Sequence, residues 1–101
     1  MHVISRKALR TFWEAHPDSQ EPLTTWYTVF KRANFQSIHE VRTSFPHADF
    51  KSTKLKGDLT IFNIGGNKYR LITSIVYEWQ KVFLRGVLTH DEYTTWNRKI
   101  K

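Results

Sequence analysis

The sequence predicts one small α+β domain: two helices near the start pack on one face of an antiparallel sheet, and a short helix follows the last strand. Three observations carry that prediction. Apolar residues recur at helical spacing in the first half, three β-prone runs crowd the second half, and Gly65-Gly66 separates two of those runs. A length of 101 residues suits a single domain, residues 1–101, and 40% hydrophobic with 15% aromatic content can form a core.

The elements follow in order. His2-Val3-Ile4 reads as a short strand, after which Ser5 is placed to cap a helix by accepting a free first-turn amide. Ala8, Leu9, Phe12 and Trp13 give that helix an apolar face, and Pro17 ends it. The second helix is signalled by Asp18 and Glu21 at its positive end, with Pro22 in the first turn. Leu23, Trp26, Tyr27 and Phe30 then form one apolar stripe, and Lys31 and Arg32 complement the dipole at its end. The Ser37-Ile38-His39-Glu40 capping box predicts a short helix over 37–43, ended by Pro46. Lys51 to Gly57 reads as a basic, exposed approach to the sheet.

Leu59–Ile64, Asn67–Tyr77 and Gln80–Leu88 are the predicted strands. Gly65-Gly66 predicts a two-residue hairpin loop, since both central positions can take positive φ, and Glu78-Trp79 forms the next turn. Thr89-His90-Asp91-Glu92 is a second capping box, opening a helix that carries Tyr93, Trp96 and Ile100. No repeat, low-complexity segment or interdomain linker interrupts the chain.

Composition removes several classes of function. The absence of cysteine excludes disulfide scaffolds, thiol nucleophiles and cysteine-ligated metal centres. The five histidines show no metal-binding spacing, and no serine lies in a nucleophile-elbow context. No cofactor-binding motif is present: Gly65-Gly66 is not followed by a helix that could hold a phosphate. Apolar runs are too short to span a membrane, and the N-terminal residues do not read as a secretory signal, so the expected compartment is the cytoplasm.

The net charge is +7, and it is uneven. Residues 1–50 carry six bases and five acids, whereas residues 51–101 carry ten bases and four acids. A basic half points to a polyanion or an acidic protein as partner, although a merely solvated surface also accounts for charge alone.

Hairpin geometry sharpens this. A two-residue loop would pair Asn63 with Lys68, Phe62 with Tyr69 and Ile61 with Arg70. Alternation then puts Asn63, Lys68 and Arg70 on one face, and Phe62, Tyr69, Leu71 and Ile75 on the face that receives the helices. With Val82, Leu84 and Leu88 packed inward, Arg85 joins Arg70, and His90 and Tyr93 follow at the strand-to-helix corner. Arginines can grip a phosphate through two parallel hydrogen bonds, a histidine can move protons at neutral pH, and a tyrosine can stack on a base or share a proton.

Phe62-Asn63-Ile64-Gly65-Gly66-Asn67-Lys68-Tyr69-Arg70-Leu71, preceded by Met1-His2-Val3-Ile4-Ser5-Arg6-Lys7-Ala8-Leu9-Arg10, resembles the HigB toxins of type II toxin–antitoxin systems. The similarity runs through nearly the whole chain, including Trp26-Tyr27 and Thr89-His90-Asp91-Glu92-Tyr93. The resemblance implies a RelE/ParE-like fold and an endoribonuclease that cleaves mRNA during translation on the ribosome. It also implies a HigA-type antitoxin that neutralises the toxin and represses the shared operon, so that operator DNA is met only through the complex. By the same resemblance Arg70 corresponds to the strand arginine of RelE-like nucleases that contacts the scissile region. His90 and Tyr93 correspond to the basic residue after the last strand and the tyrosine of the final helix. RelE carries two lysines where this chain has Ile61 and Asn63, and Lys68, or Lys54 and Lys56, are the available replacements.

The chemistry so predicted needs no metal. The RNA 2′-hydroxyl is the nucleophile, Arg70, Arg85 and Lys68 would stabilise charge on the phosphorane, His90 would transfer protons, and Tyr93 would stack or assist. Lys54, Lys56 and Asn63 would bind RNA around that centre. Two readings compete with it: a ParE-like toxin that binds and inhibits DNA gyrase, and an RNA-binding module without catalysis.

Overall fold

The computed structural model describes residues 1–100. Five strands, β1 (His2–Ile4), β2 (Asp49–Thr53), β3 (Gly57–Ile64), β4 (Tyr69–Val76) and β5 (Lys81–Thr89), form one sheet in the order β1-β5-β4-β3-β2. Four α-helices accompany it: α1 (Lys7–Ala15), α2 (Gln20–Arg32), α3 (Ile38–Ser44) and α4 (His90–Lys99). The α+β architecture is as predicted, with the first two helices on one face and the terminal helix after the last strand.

The larger core fills the space between that face and the helices. Leu9 from α1 and Leu23, Trp26 and Phe30 from α2 meet Phe62, Leu71 and Val82 from the sheet, all essentially inaccessible to water. Aromatic rings dominate the contact: Trp26 stacks on Phe30 at 4.5 Å between ring centres, and Phe62 meets both rings edge-on. Burial of each such side chain contributes about 1.5–3 kcal/mol. The apolar stripe read from α2 is therefore core.

Several expectations are corrected. The sheet is mixed, because β1 pairs in parallel with β5 while the other neighbours are antiparallel. The basic stretch before residue 57 contains an edge strand, β2, whose polar composition hides its β character; polar and charged residues are common on exposed edges. Ser5 does not cap α1. It takes a positive φ of 75° to turn the chain sharply out of β1, and Arg6 precedes the helix without a side-chain cap. Pro17 opens a 3₁₀ turn, Pro17–Ser19, leading directly into α2.

The hairpin loop has four residues, Gly65–Lys68, rather than two. Ile64 pairs with Tyr69 and Asn63 with Arg70, so each partner lies two residues further on than a two-residue loop would place it. A shift of two preserves faces, and Asn63 and Arg70 still point the same way. Lys68, however, leaves the sheet and belongs to the loop. Both glycines carry the positive φ the turn requires, 63° and 71°. The tight turn expected at Glu78-Trp79 is a 3₁₀ turn, Tyr77–Trp79, closed by Gln80 in the left-handed region.

A bulge between Ile72 and Thr73 of β4 and the facing residues of β5 changes the parity of the last strand. Leu84 faces Thr73, yet Gly86 faces Ile72, so Arg85 is the additional residue. Val82 and Leu84 pack inward as predicted. Beyond the bulge Val87 takes the inward position, and Leu88 turns to the opposite face, contrary to expectation.

Candidate functional site

The sheet face away from α1 and α2 holds a second, smaller core. Leu59, Ile61 and Ile72 are buried there, with Leu88 and the α4 residues Tyr93 and Trp96 packed on them. The Thr89 cap fixes where α4 begins: the Glu92 amide donates to Thr89 Oγ1 at 3.2 Å, and the Thr89 amide donates to Glu92 Oε1 at 2.9 Å. That backbone bond holds the Glu92 carboxyl below its ordinary pKa. Capping thus sets His90 at the first turn and brings Tyr93 and Trp96, three residues apart, down onto the sheet.

Two hollows flank this small core. The first, of about 570 Å³, is lined by Asn67, Lys68, Arg70 and His90. The His90 amide donates to the Lys68 carbonyl at 2.9 Å, tying the start of α4 to the hairpin loop. Arg70 Nη1 donates to the carbonyls of Asn67, at 3.2 Å, and Tyr69, at 3.1 Å, while its Cζ lies 5.6 Å from the centre of the Tyr93 ring. Asn63 stands directly across the ladder from Arg70.

The second hollow, of about 340 Å³, is lined by Leu55, Lys56, Leu59, Ile72, Arg85 and Trp96. Arg85 Nε donates to Ser74 Oγ at 3.0 Å, and its guanidinium lies over Phe83. Arg85 and Arg70 therefore share a face, as predicted, but line different hollows: Arg70 is anchored at the hairpin loop and Arg85 at Ser74.

The remaining predicted residues divide between these places. Lys54 and Lys56 are exposed in the β2–β3 turn, and Lys56 reaches the second hollow. Lys68 does not share the sheet face with Asn63 and Arg70. Its Nζ forms an ion pair with Asp18 at 3.0 Å, and Tyr69 Oη donates to the same carboxylate at 2.6 Å. Those two hydrogen bonds, Tyr69 first, hold Asp18 below its ordinary value, and the carboxylate in turn raises the Tyr69 phenol. An exposed pair of this kind is weak, so the ammonium remains available to an incoming anion.

Sequence reading missed Lys51 and Asp49. They lie 3.5 Å apart on β2, opposite Leu59 and Ile61 and so on the same face as Arg70. Burial, with the Asp49 carboxylate, raises the Tyr93 hydroxyl above the ordinary phenol value, while the positive charges of Lys51 and Arg70 act in the opposite sense. Four of residues 49–53 are polar, so little in the sequence marks a strand, and the face of Lys51 follows only from the pairing of β2 with β3. Among the described residues, Lys51 and Lys68 are the cations within ion-pair distance of a carboxylate. Arg70, Arg85, Lys54 and Lys56 have no such partner among the described residues. A face with a small apolar centre and unneutralised cations is suited to a flexible polyanion with stackable rings.

The fold and this face define a small RelE-like toxin domain. Residues 19–96 match the HigB toxin family, described as the RelE-like toxic component of a toxin–antitoxin system. The chain belongs to this family. It is 31% identical over 93 residues to the mRNA interferase toxin HigB of Escherichia coli strain K12, spanning 92% of this chain and 88% of that protein. The mRNA interferase HigB of Shigella flexneri matches to the same extent.

Proposed function

We propose that this chain is the toxin of a toxin–antitoxin pair and acts as an endoribonuclease on mRNA during translation. The observation that carries the reading is the first hollow, where Arg70 and His90 line one small space and Tyr93 stands beneath the Arg70 guanidinium. Family membership and relatives named mRNA interferases support the same conclusion.

The chemistry proceeds on groups the RNA and the chain supply. A phosphate seated against Arg70 leaves the adjacent ribose 2′-hydroxyl near His90, whose imidazole takes the proton as the 2′-oxygen attacks phosphorus. Arg70 offsets the charge gathering on the phosphorane, and Lys68 adds to it after exchanging Asp18 for phosphate. The bond from phosphorus to the 5′-oxygen then breaks, leaving a 2′,3′-cyclic phosphate and a 5′-hydroxyl. Tyr93 gives its proton to that oxygen: burial keeps the phenol protonated, and a departing alkoxide is a stronger base than a phenolate. Arg85, Lys54, Lys56 and Asn63 hold the strand on either side. The 2′-hydroxyl requirement restricts cleavage to RNA.

The partners that go with this reading are mRNA on the ribosome, a HigA-type antitoxin, and operator DNA through the antitoxin complex, all in the cytoplasm. The test is to add purified protein to translating ribosomes and map the new mRNA ends. Discrete cuts carrying cyclic phosphates are expected. Intact mRNA together with inhibited gyrase-driven plasmid supercoiling would replace this reading with gyrase binding, and salt-sensitive binding without cuts would reduce it to an RNA-binding module.

A further inference from the structure

The second hollow is unaccounted for by cleavage chemistry, and its construction is specific. Its floor is apolar, made by Leu59, Ile72 and Trp96, and its rim carries Lys56 and Arg85. Leu55 also lines it and is 84% exposed, the most exposed large apolar side chain among the described residues. That exposure is imposed by the turn. Thr53 Oγ1 accepts from the Lys56 amide at 2.9 Å and donates to the Gly57 carbonyl at 3.0 Å, and Gly57 takes a positive φ of 72°. A pinned turn thus presents an apolar side chain to water between two lysines.

We propose that this hollow receives one unpaired nucleobase of the RNA strand, lying on Trp96 beside Leu55, with its flanking phosphates against Lys56 and Arg85. The inference rests on the RNA reading above and adds a base subsite to it. About 340 Å³ lies at the small end of ligand pockets, enough for one nucleotide and too little for a helix or a folded peptide segment. Apolar surfaces on two sides suit a planar ring, and cations at the rim suit the phosphates joined to it. Tyr93 and Trp96 are neighbours on α4, with ring centres 5.6 Å apart, so one strand crossing the helix reaches both hollows. The phosphate at Arg70 would be cut, and a nucleotide beside it would be held by its base.

The test uses the full chain and a synthetic mRNA, free and loaded on purified ribosomes, in which each nucleotide near the cut is made abasic in turn. One position is expected to lose binding and cleavage efficiency by about 5- to 150-fold, the range of base–aromatic stacking. Leu55→Ser and Trp96→Leu should weaken the intact RNA similarly while leaving the abasic RNA at that position no worse. Leu55 is exposed, so Leu55→Ser keeps the result interpretable if the Trp96 variant fails to fold. Wild-type cleavage insensitive to every abasic position, or variant losses that persist on the abasic RNA, would overturn the subsite and leave the nuclease standing. Absence of any RNA binding or cleavage would overturn both, and capture of an acidic protein by Leu55 and its lysines in place of RNA would assign the hollow to a protein contact.

Discussion

Residues Ile61 and Phe62 are neighbours in β3, both fully buried, and they serve two different cores. Phe62 faces α1 and α2, among the rings of Trp26 and Phe30 from α2 and of Phe45 just after α3. Ile61 faces α4 and shares a thin apolar centre with Leu59 and Ile72, edged by cations. One side of the sheet holds the larger core; the other buries enough to seat a helix and leaves Arg70 and Arg85, among the described residues, without a carboxylate partner. The difference teaches that a single β-layer can hold the main core on one face and leave the other for the proposed RNA site.

The comparison can be broken most forcefully at its strong side. Phe62→Ala should cost about 3–5 kcal/mol, and Ile61→Ala about 2 kcal/mol because α4 can settle into the space, both read as shifts in urea unfolding. Equal losses would mean that the α4 side contributes as much to stability as the helix-side core. On the functional side, Arg70→Ala should reduce mRNA cleavage by about 10²–10³-fold, with the unfolding midpoint nearly unchanged. Thr89→Ala removes the cap that seats α4 and should cost about 1 kcal/mol, visible as faster hydrogen exchange in α4 with the helix-side core still protected.

The smallest effect is expected from acid. Asp18 and Glu92 titrate below their ordinary values of 3.8 and 4.5 in the folded chain, so the stability they confer is present above those values. It disappears as pH falls through their depressed folded values. Backbone amide spectra should then show the hairpin loop and the start of α4 loosening before the helix-side core does.

The parts legible in the sequence were those governed by local rules. Helical spacing in α2 and the capping box at Thr89 are written within a few residues, and both are found where expected. Faces of the hairpin survived an incorrect loop length because the displacement was even. Leu88 was misplaced because a bulge opposite Ile72 reverses parity; Gly86 within the strand is its local sign, but a glycine alone does not fix which residue is extra. Lys51 escaped attention because an edge strand rich in polar residues resembles a loop until its partner is known. The separation of Arg85 from Arg70 depends on where α4 comes to rest and on which oxygens anchor each guanidinium; neither is encoded by alternation.

The parallel pairing of β1 with β5 has a consequence for how the toxin comes into being. Val3 finds its place beside Val82, so β1 joins the sheet only once β5 is formed. Such distant pairing slows closure of the sheet, and the strand that completes it carries Arg85 and leads directly into His90 and Tyr93 of α4. Until β5 is in place, β1 and one edge of β4 have no hydrogen-bonding neighbour, so the sheet and the start of α4 are completed by the same strand.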